Sequence, residues 1–309
     1  MTGASGFLGG WLARMLTDRG HTVFAYGQRP VTALAQPLPR YEQWDICAGP
    51  TQVAEVDAVI HCAARVGDWG SDADYRRVNV QGTRVVLETF GGCDRFVHVS
   101  SASVYSGDRP NQQLTEDASV GSGLYTAYAR TKAEAEQLVL ASGRPAVVLR
   151  PHIVYGPGDT TLMPRVLAAR RWGCLAVPGN GRNRISVTHV FNFVHAVECV
   201  LKSSVTHGTF NIADPEDASV DELLRSLLLR SGIAPRLLYV PRSIAWAAAL
   251  VSERAWRMAG KSRAPQLTRY LVAKLADEHT LDSTRARNLL GYEPCHTFRD
   301  APMHWENGQ

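Results

Sequence analysis

The chain is 309 residues long, 45% hydrophobic by composition, and carries a formal net charge of +4. That length buries a large core, as one large or two smaller domains, and the small, dispersed charge with no basic run among aromatics implies no nucleic-acid partner. Six scattered cysteines without a C-x-x-C pair, ten histidines without ligand spacing and a longest apolar run of only Ile244 to Val251 argue against a disulfide scaffold, a metal site and a membrane span, and point to a reduced, cytoplasmic globular protein.

In chain order, the first stretch is Thr2-Gly3-Ala4-Ser5-Gly6-Phe7-Leu8-Gly9-Gly10. Gly3, Gly6 and Gly9 are spaced to let backbone approach a pyrophosphate and to aim the N–H groups of the following helix at it. The expected phosphate turn therefore comprises Gly3, Ser5, Gly6, Phe7, Leu8 and Gly9. Such a turn follows the central strand of its sheet, yet only Met1 and Thr2 precede Gly3. Most of the first strand is thus missing from the sequence as written. A start lying upstream is the favoured reading, with a cut chain or a lost strand as alternatives.

Phe7 to Arg19 has an amphipathic helical pattern closed by Gly20, and Thr22 to Tyr26 is a short strand. An acid at the end of this second strand would hold the adenine ribose hydroxyls of NAD. The chain instead runs into Gly27-Gln28-Arg29-Pro30, and Arg29 can pair with a 2′-phosphate. The expected cofactor is therefore NADP, with NAD as the alternative. Asp45-Ile46, an acid then an aliphatic residue at a strand end, suits an adenine ring.

Val56 to Ala64 is the next strand and ends in small residues, Ala63 and Ala64, against which a cofactor can lie. Asp74 to Phe90 is a helix containing Asn79. Arg95 to Val99 is a strand emptying into Ser100-Ser101-Ala102-Ser103, and Pro145 to Leu149 and Thr209 to Ile212 are further strands. Strands alternating with helices of crossover length predict an α/β, doubly wound parallel sheet. The more helical remainder, including Asp221 to Arg230 and Ser243 to Ala259, predicts a smaller, mainly helical C-terminal cap over the carboxyl ends of the strands. The expected division is 1–156 with 185–212 for the dinucleotide-binding domain, and 157–184 with 213–309 for the cap. In the Ser243 to Ala259 segment, Ile244, Ala247, Ala248, Val251 and Ala255 share one helical face, expected to be a cap core face, with a pocket wall or membrane-surface contact as the alternative.

The catalytic candidates lie between these elements. Tyr128 and Lys132 are four apart in a helix expected from about Tyr125 to Ala141, so they share a face. An ammonium there favours the phenolate and lowers the tyrosine pKa. With ten tyrosines and four lysines, about 0.1 such pairs arise by chance. Ser101, at a strand end, supplies a second hydrogen bond to a reacting carbonyl oxygen. The set fits hydride transfer, with Tyr128 as proton donor, Ser101 polarising the oxygen, and Lys132 tuning Tyr128 and holding the ribose. His152 and His189 are expected to be structural.

Over essentially its whole length the chain resembles an extended short-chain dehydrogenase/reductase. The motif T-G-x-x-G-x-x-G stands as Thr2 to Gly9, the acid-aliphatic pair as Asp45-Ile46, and the N-A-A strand end as Cys62-Ala63-Ala64 with cysteine replacing asparagine. The catalytic set stands as Ser101, Tyr128 and Lys132. Arg150 to Gly158 matches the element whose backbone, after Arg150-Pro151, touches the nicotinamide amide in that superfamily. His61 to Trp69, Arg150 to Asp159, Pro265 to Arg269 and Asp282 to Tyr292 resemble the 3β-hydroxysteroid dehydrogenase-like branch. The resemblance implies oxidoreduction at a secondary alcohol or ketone of a small apolar substrate, of 3-oxo acid or 3-hydroxysteroid type. It also allows a homodimer through the helices holding Asn79 and Tyr128.

Two rivals share the fold. A nucleotide-sugar epimerase needs a phosphate-binding arginine where Ile185 aligns, although Arg182 and Arg184 are close. Dehydration is disfavoured because Ser101-Ala102-Ser103 replaces the acidic pair of dehydratases. A non-catalytic, cofactor-sensing regulator would typically lose the Tyr128–Lys132 pair.

Overall fold

The computed structural model describes residues 1–34, 36–38, 40–105, 111–121, 123–124, 126–261 and 263–300. Tyr125, at the expected start of the catalytic helix, lies outside them.

The main sheet is parallel throughout. From one edge it runs Tyr41–Gln43, Ala25–Gly27, the short stretch Met1-Thr2, Ala58–His61, Arg95–Val99, Ala146–Pro151 and Gly208–Ile212. Met1-Thr2 occupies the central strand position: Thr2 N donates to Ile60 O at 3.0 Å and Tyr26 N to Met1 O at 2.8 Å. Met1 N donates to Phe24 O at 2.6 Å. Every residue of Ala146–Pro151 is buried, as expected for a parallel strand covered on both faces.

Helices cover both faces, so the sheet is doubly wound. On one, Phe7–Asp18 and Val190–Lys202 bring Leu12, Phe193 and Val197 onto Val147 and Leu149. On the other, Gly82–Thr89 and Ala127–Leu140 bring Val86 and Val139 onto Val59 and Val148. The first of these helices ends as its glycine predicts, with Gly20 at φ +90°.

The cap is mainly helical, as expected, with short strands beside its helices. It holds the helices Leu162–Ala169, Val220–Arg230, Arg242–Met258 and Arg269–Ala276. It also holds a parallel pair, Cys174–Pro178 with Arg236–Val240, and a small mixed sheet of Asn111–Leu114, His279–Leu281, Arg184–Ile185 and Ala218–Ser219. Two packing facts cross the expected division. Ala286, Leu290 and Tyr292, expected in the cap, share the main-sheet core with Phe193 and Phe210, because helix Thr284–Leu290 aims its apolar side at that layer. Ile185 and Val187, expected on the nucleotide side, sit in the cap core with Leu224 and Phe298.

The Arg242–Met258 helix also departs from expectation. Ile244, Ala247, Ala248, Val251 and Ala255 are all exposed, and the buried face is Ala245, Ala249 and Glu253. Small residues allow close packing on Val272, and Glu253 accepts from Arg269 N at 2.7 Å. Among the described residues no helix is long and apolar enough to cross a membrane, and no group of three or more His, Cys, Asp or Glu is placed to hold a metal. All six cysteines are free.

Candidate active site

The glycine turn is built by close approach. Gly3 has φ +75°, and a Cβ on it would lie 2.6 Å from Ala63 N. A Cβ on Gly9 would overlap Gly3 O, and one on Gly27 would lie 2.6 Å from Ser5 Oγ. No side chain caps the Phe7–Asp18 helix, so its first N–H groups face the turn unsatisfied, as an anion site requires. Phe7 and Leu8 form the first helical turn and pack at the rim of the main core. Trp11 Nε1 donates to Pro157 O at 2.7 Å, which ties the loop after Pro151 to this helix.

At the adenine end, the Arg29 side chain is exposed and has no hydrogen bond or ion pair to a described residue, while Tyr41 OH donates to Arg29 O at 2.5 Å. Asp45 accepts from Cys47 N at 2.9 Å and is half-buried. Ile46 is buried in the core against Gly82. Ala63 and Ala64 are half-buried at the end of Ala58–His61. The loop that follows is held by Asn79, whose Oδ1 accepts from Arg65 N at 2.7 Å and whose amide donates to Thr131 Oγ1 at 3.0 Å. Asn79 lies in a π-helical turn, Arg77–Gln81, inside the expected helix. Such turns frequently mark functional sites.

The helix Ala127–Leu140 starts at Thr126, whose side chain accepts from Ala129 N at 3.1 Å. It sets Tyr128 beside Ser101. Ser101 Oγ hydrogen-bonds the Tyr128 phenol and accepts from Ser103 Oγ at 2.9 Å. The tyrosine pKa is raised, chiefly by burial, with the Ser101 hydrogen bond opposing that and Tyr75 adding to it. Lys132 does not offset it as the spacing predicts. Its Nζ donates to Val99 O at 2.5 Å and lies 3.3 Å from His98 Nε2. Burial lowers its pKa to about 8, against the raising effects of Glu136 and Cys62. The i,i+4 spacing puts both side chains on one face, but a buried ammonium turns toward the strand-end carbonyl that can accept from it.

Several residues of the site were not singled out from the sequence. Glu136, one turn after Lys132, pairs with Arg150, both fully buried. Glu136 also accepts from Ser100 Oγ at 2.8 Å. A second carboxyl at i+4 from the lysine was the available signal. His98 carried none beyond membership of a strand. Tyr270 is close enough for the Tyr128 charge to raise its pKa further above a value already raised by burial. Tyr270 and Lys274, on Arg269–Ala276, line a cavity of about 70 Å³ with Ser103 and Ala129. Pro151, at the end of its strand, is buried. His152 and His189 are fully buried and hydrogen-bonded.

A doubly wound parallel sheet, an uncapped glycine turn at its centre, and Ser101, Tyr128 and Lys132 gathered at the strand ends describe a dinucleotide-dependent enzyme. The chain belongs to the NAD dependent epimerase/dehydratase family, whose model matches residues 1–213. It has the extended short-chain dehydrogenase/reductase fold, and its cofactor is a nicotinamide dinucleotide; the glycine cradle and open helix terminus fit that group. The chain is 34% identical to a 2-alkyl-3-oxoalkanoate reductase of Stenotrophomonas maltophilia, over 95% of this chain and 94% of that one. It is 28% identical to the decarboxylating sterol-4-alpha-carboxylate 3-dehydrogenase of Homo sapiens, over 97% and 84%. In fold it matches the UDP-glucuronic acid 4-epimerase of Bacillus cereus in complex with NAD, with a TM-score of 0.69 and 22% identity over 97% and 94% of the two chains.

Proposed function

We propose that this chain is an NAD(P)-dependent oxidoreductase interconverting a secondary alcohol and a ketone on a small apolar substrate, of the 3-oxo acid or 3-hydroxysteroid type. The observation that carries this is the Tyr128 phenol hydrogen-bonded to Ser101 at the strand ends, beside a cavity that the cap closes with Tyr270 and Lys274. The relatives named above, a reductase and a 3-dehydrogenase, support it.

The residues divide the work as follows. Gly3, Ser5, Gly6, Phe7, Leu8 and Gly9 hold the pyrophosphate, Ala63, Ala64 and Pro151 border the nicotinamide half, and Asp45 serves the adenosine half. The bound nicotinamide supplies or accepts the hydride. Ser101 donates a hydrogen bond to the substrate oxygen, and Tyr128 gives that oxygen its proton on reduction and removes it on oxidation. Because burial holds Tyr128 in its neutral form, it is ready as a proton donor. Lys132 holds the ribose. Arg29, exposed and without a partner among the described residues, favours NADP. A cytoplasmic homodimer packed through the helices of Asn79 and Tyr128, and the division into nucleotide and cap domains, complete the reading.

A nucleotide-sugar substrate fits less well. Ile185 is a core residue of the cap, and Arg184 donates to Asp217 O at 2.7 Å. Arg182 lines a separate open groove that neither Ser101 nor Tyr128 borders, where Asp221 is paired with Arg225 and Glu222 with Arg299.

The test is consumption of NADPH and NADH with 3-oxo acids, 3-ketosteroids and nucleotide-sugars. Turnover of the apolar ketones is expected, with NADPH preferred and the preference lost in Arg29→Ala. Tyr128→Phe should lose turnover by about 10³-fold while retaining cofactor affinity. Isomerisation of a nucleotide-sugar without net cofactor consumption would replace this reading by the epimerase one.

A further inference from the structure

Lys274 is the one amine in the cavity beside Tyr128, and its surroundings are fixed by three contacts. It lies one turn after Tyr270 on the Arg269–Ala276 helix, with its Nζ 5.8 Å from the Tyr270 ring centre. The Nζ is 3.1 Å from His152 Nε2. The direction of that hydrogen bond follows from the other ring nitrogen. His152 Nδ1 is 2.6 Å from Ser186 O, and a carbonyl only accepts, so Nδ1 carries the proton and Nε2 receives from the ammonium. The imidazole is held flat by His279, stacked at 4.3 Å between ring centres.

The lysine is therefore oriented by a neutral partner, and among the described residues no carboxylate pairs with it. The acids on the same cavity wall are engaged elsewhere: Asp277 with Arg242, at 2.7 and 2.8 Å, and Glu278 with Gln112. Burial, with no acid to oppose it, lowers the Lys274 pKa to about 7. A desolvated cation without a counter-charge costs several kcal/mol, and such groups cluster at functional sites. Two of the three ammonium donors have no acceptor among the described residues.

We propose that Lys274, positioned by His152, is the seat for a carboxylate of the substrate, so that the substrate is a 3-oxo or 3-hydroxy acid bound as its free anion. This rests on the oxidoreductase reading and names the substrate class of that same site. A cavity of about 70 Å³ has room for a carboxylate head, with the alkyl or ring system lying outside it. In a 3-oxo acid the carboxyl carbon is two bonds from the reacting carbon. Anchoring it fixes that carbon relative to Tyr128 and Ser101, whose neighbour Ser103 lines the same cavity. The two relatives fit the same chemistry, since a 3-oxoalkanoate and a 4-carboxylate acted on at position 3 both set the carboxyl carbon two bonds from the carbon that reacts.

The experiment compares oxidation of 3-hydroxydodecanoate and of its methyl ester with NADP or NAD, in wild type, Lys274→Met and Lys274→Arg. The readout is the ratio of kcat/KM for acid over ester. Wild type favours the acid. In Lys274→Met that ratio falls about 100-fold, the worth of one buried charge-assisted hydrogen bond, with most of the change in KM for the acid. Lys274→Arg, which keeps the charge, retains the ratio to within about tenfold. Should Lys274→Met not fold, Lys274→Gln is read in the same way. A wild type indifferent to esterification, or a folded neutral variant with an unchanged ratio, overturns the carboxylate seat while leaving the oxidoreductase reading intact. A wild type that turns over no alcohol or ketone with either nucleotide overturns the oxidoreductase reading itself, and the seat with it.

Discussion

Replacing Glu136 by leucine tests how the catalytic helix is held. Glu136 and Arg150 are both almost completely buried, with 3% and 5% of their side chains exposed. The carboxylate receives Arg150 Nε at 3.1 Å and Ser100 Oγ at 2.8 Å, besides the closer Nη2. Leucine fills most of the space but leaves Arg150 with only neutral partners, Tyr105 OH at 2.9 Å and Glu116 O at 3.2 Å. An uncompensated buried guanidinium costs about 3–5 kcal/mol, and the Ser100 hydroxyl that loses its acceptor adds ~1 kcal/mol. Against a typical total stability of roughly 5–15 kcal/mol, about 4 kcal/mol lowers the melting temperature by on the order of 10 °C. Urea denaturation and thermal melting of Glu136→Leu and wild type measure it directly. The double variant Glu136→Leu/Arg150→Met removes both charges and should lose less than Glu136→Leu alone. A loss under about 1 kcal/mol in the single variant, or a double variant no better than the single, would refute the account of this pair.

Two other outcomes follow from the geometry. Gly9→Ala places a Cβ against Gly3 O, so the turn must open; cofactor affinity by calorimetry should weaken at least tenfold, whereas an unchanged Kd would mean the turn does not hold the pyrophosphate. Lys274→Met should stabilise the protein, with a pH signature. The amine is protonated in the unfolded chain up to its ordinary value of 10.5 but loses its proton near 7 when folded. Wild type thus carries a penalty that is full below pH 7 and fades as the pH rises toward 10.5. The variant should be more stable by about 1–4 kcal/mol at pH 6, and the gap should close by about pH 10. A gap independent of pH would show that Lys274 is not desolvated.

What was legible in the sequence was what is local. The turn from Gly3 to Gly9, the i,i+4 pair Tyr128–Lys132 and the serine at a strand end are each read from a few adjacent positions. The strand alternation likewise gave the doubly wound sheet. What was not legible depends on residues distant in sequence. Lys274 meets His152, and Asn79 meets Thr131, only because the fold brings separate elements together. A lysine also reads the same in sequence whether it is solvated or buried. The Arg242–Met258 helix shows the same limit in another form. The Ile244 and the Ala245 faces have identical periodicity, and burial of the smaller one is decided by how closely the neighbouring helix approaches. Lys132 shares a face with Tyr128 but is drawn to Val99 O, which spacing alone does not reveal.

The two buried lysines explain why the site selects what it does. Both have pKa values lowered by burial, Lys132 to about 8 and Lys274 to about 7. Their situations differ in one respect. Lys132 has Glu136 one turn away, which favours its charged form although that carboxylate is paired with Arg150. Lys274 has the neutral ring of His152 and the face of Tyr270, and no carboxylate among the described residues pairs with it. The site discriminates most at the cation whose charge no carboxylate favours. A neutral substrate leaves Lys274 desolvated and without a counter-charge, whereas an anion of matching size removes that penalty on binding. The discrimination is stronger the drier the cavity, because the attraction grows as the local dielectric falls. With the carboxylate seat proposed at Lys274, a fold shared with the epimerase takes a small acid because no carboxylate among the described residues pairs with that lysine.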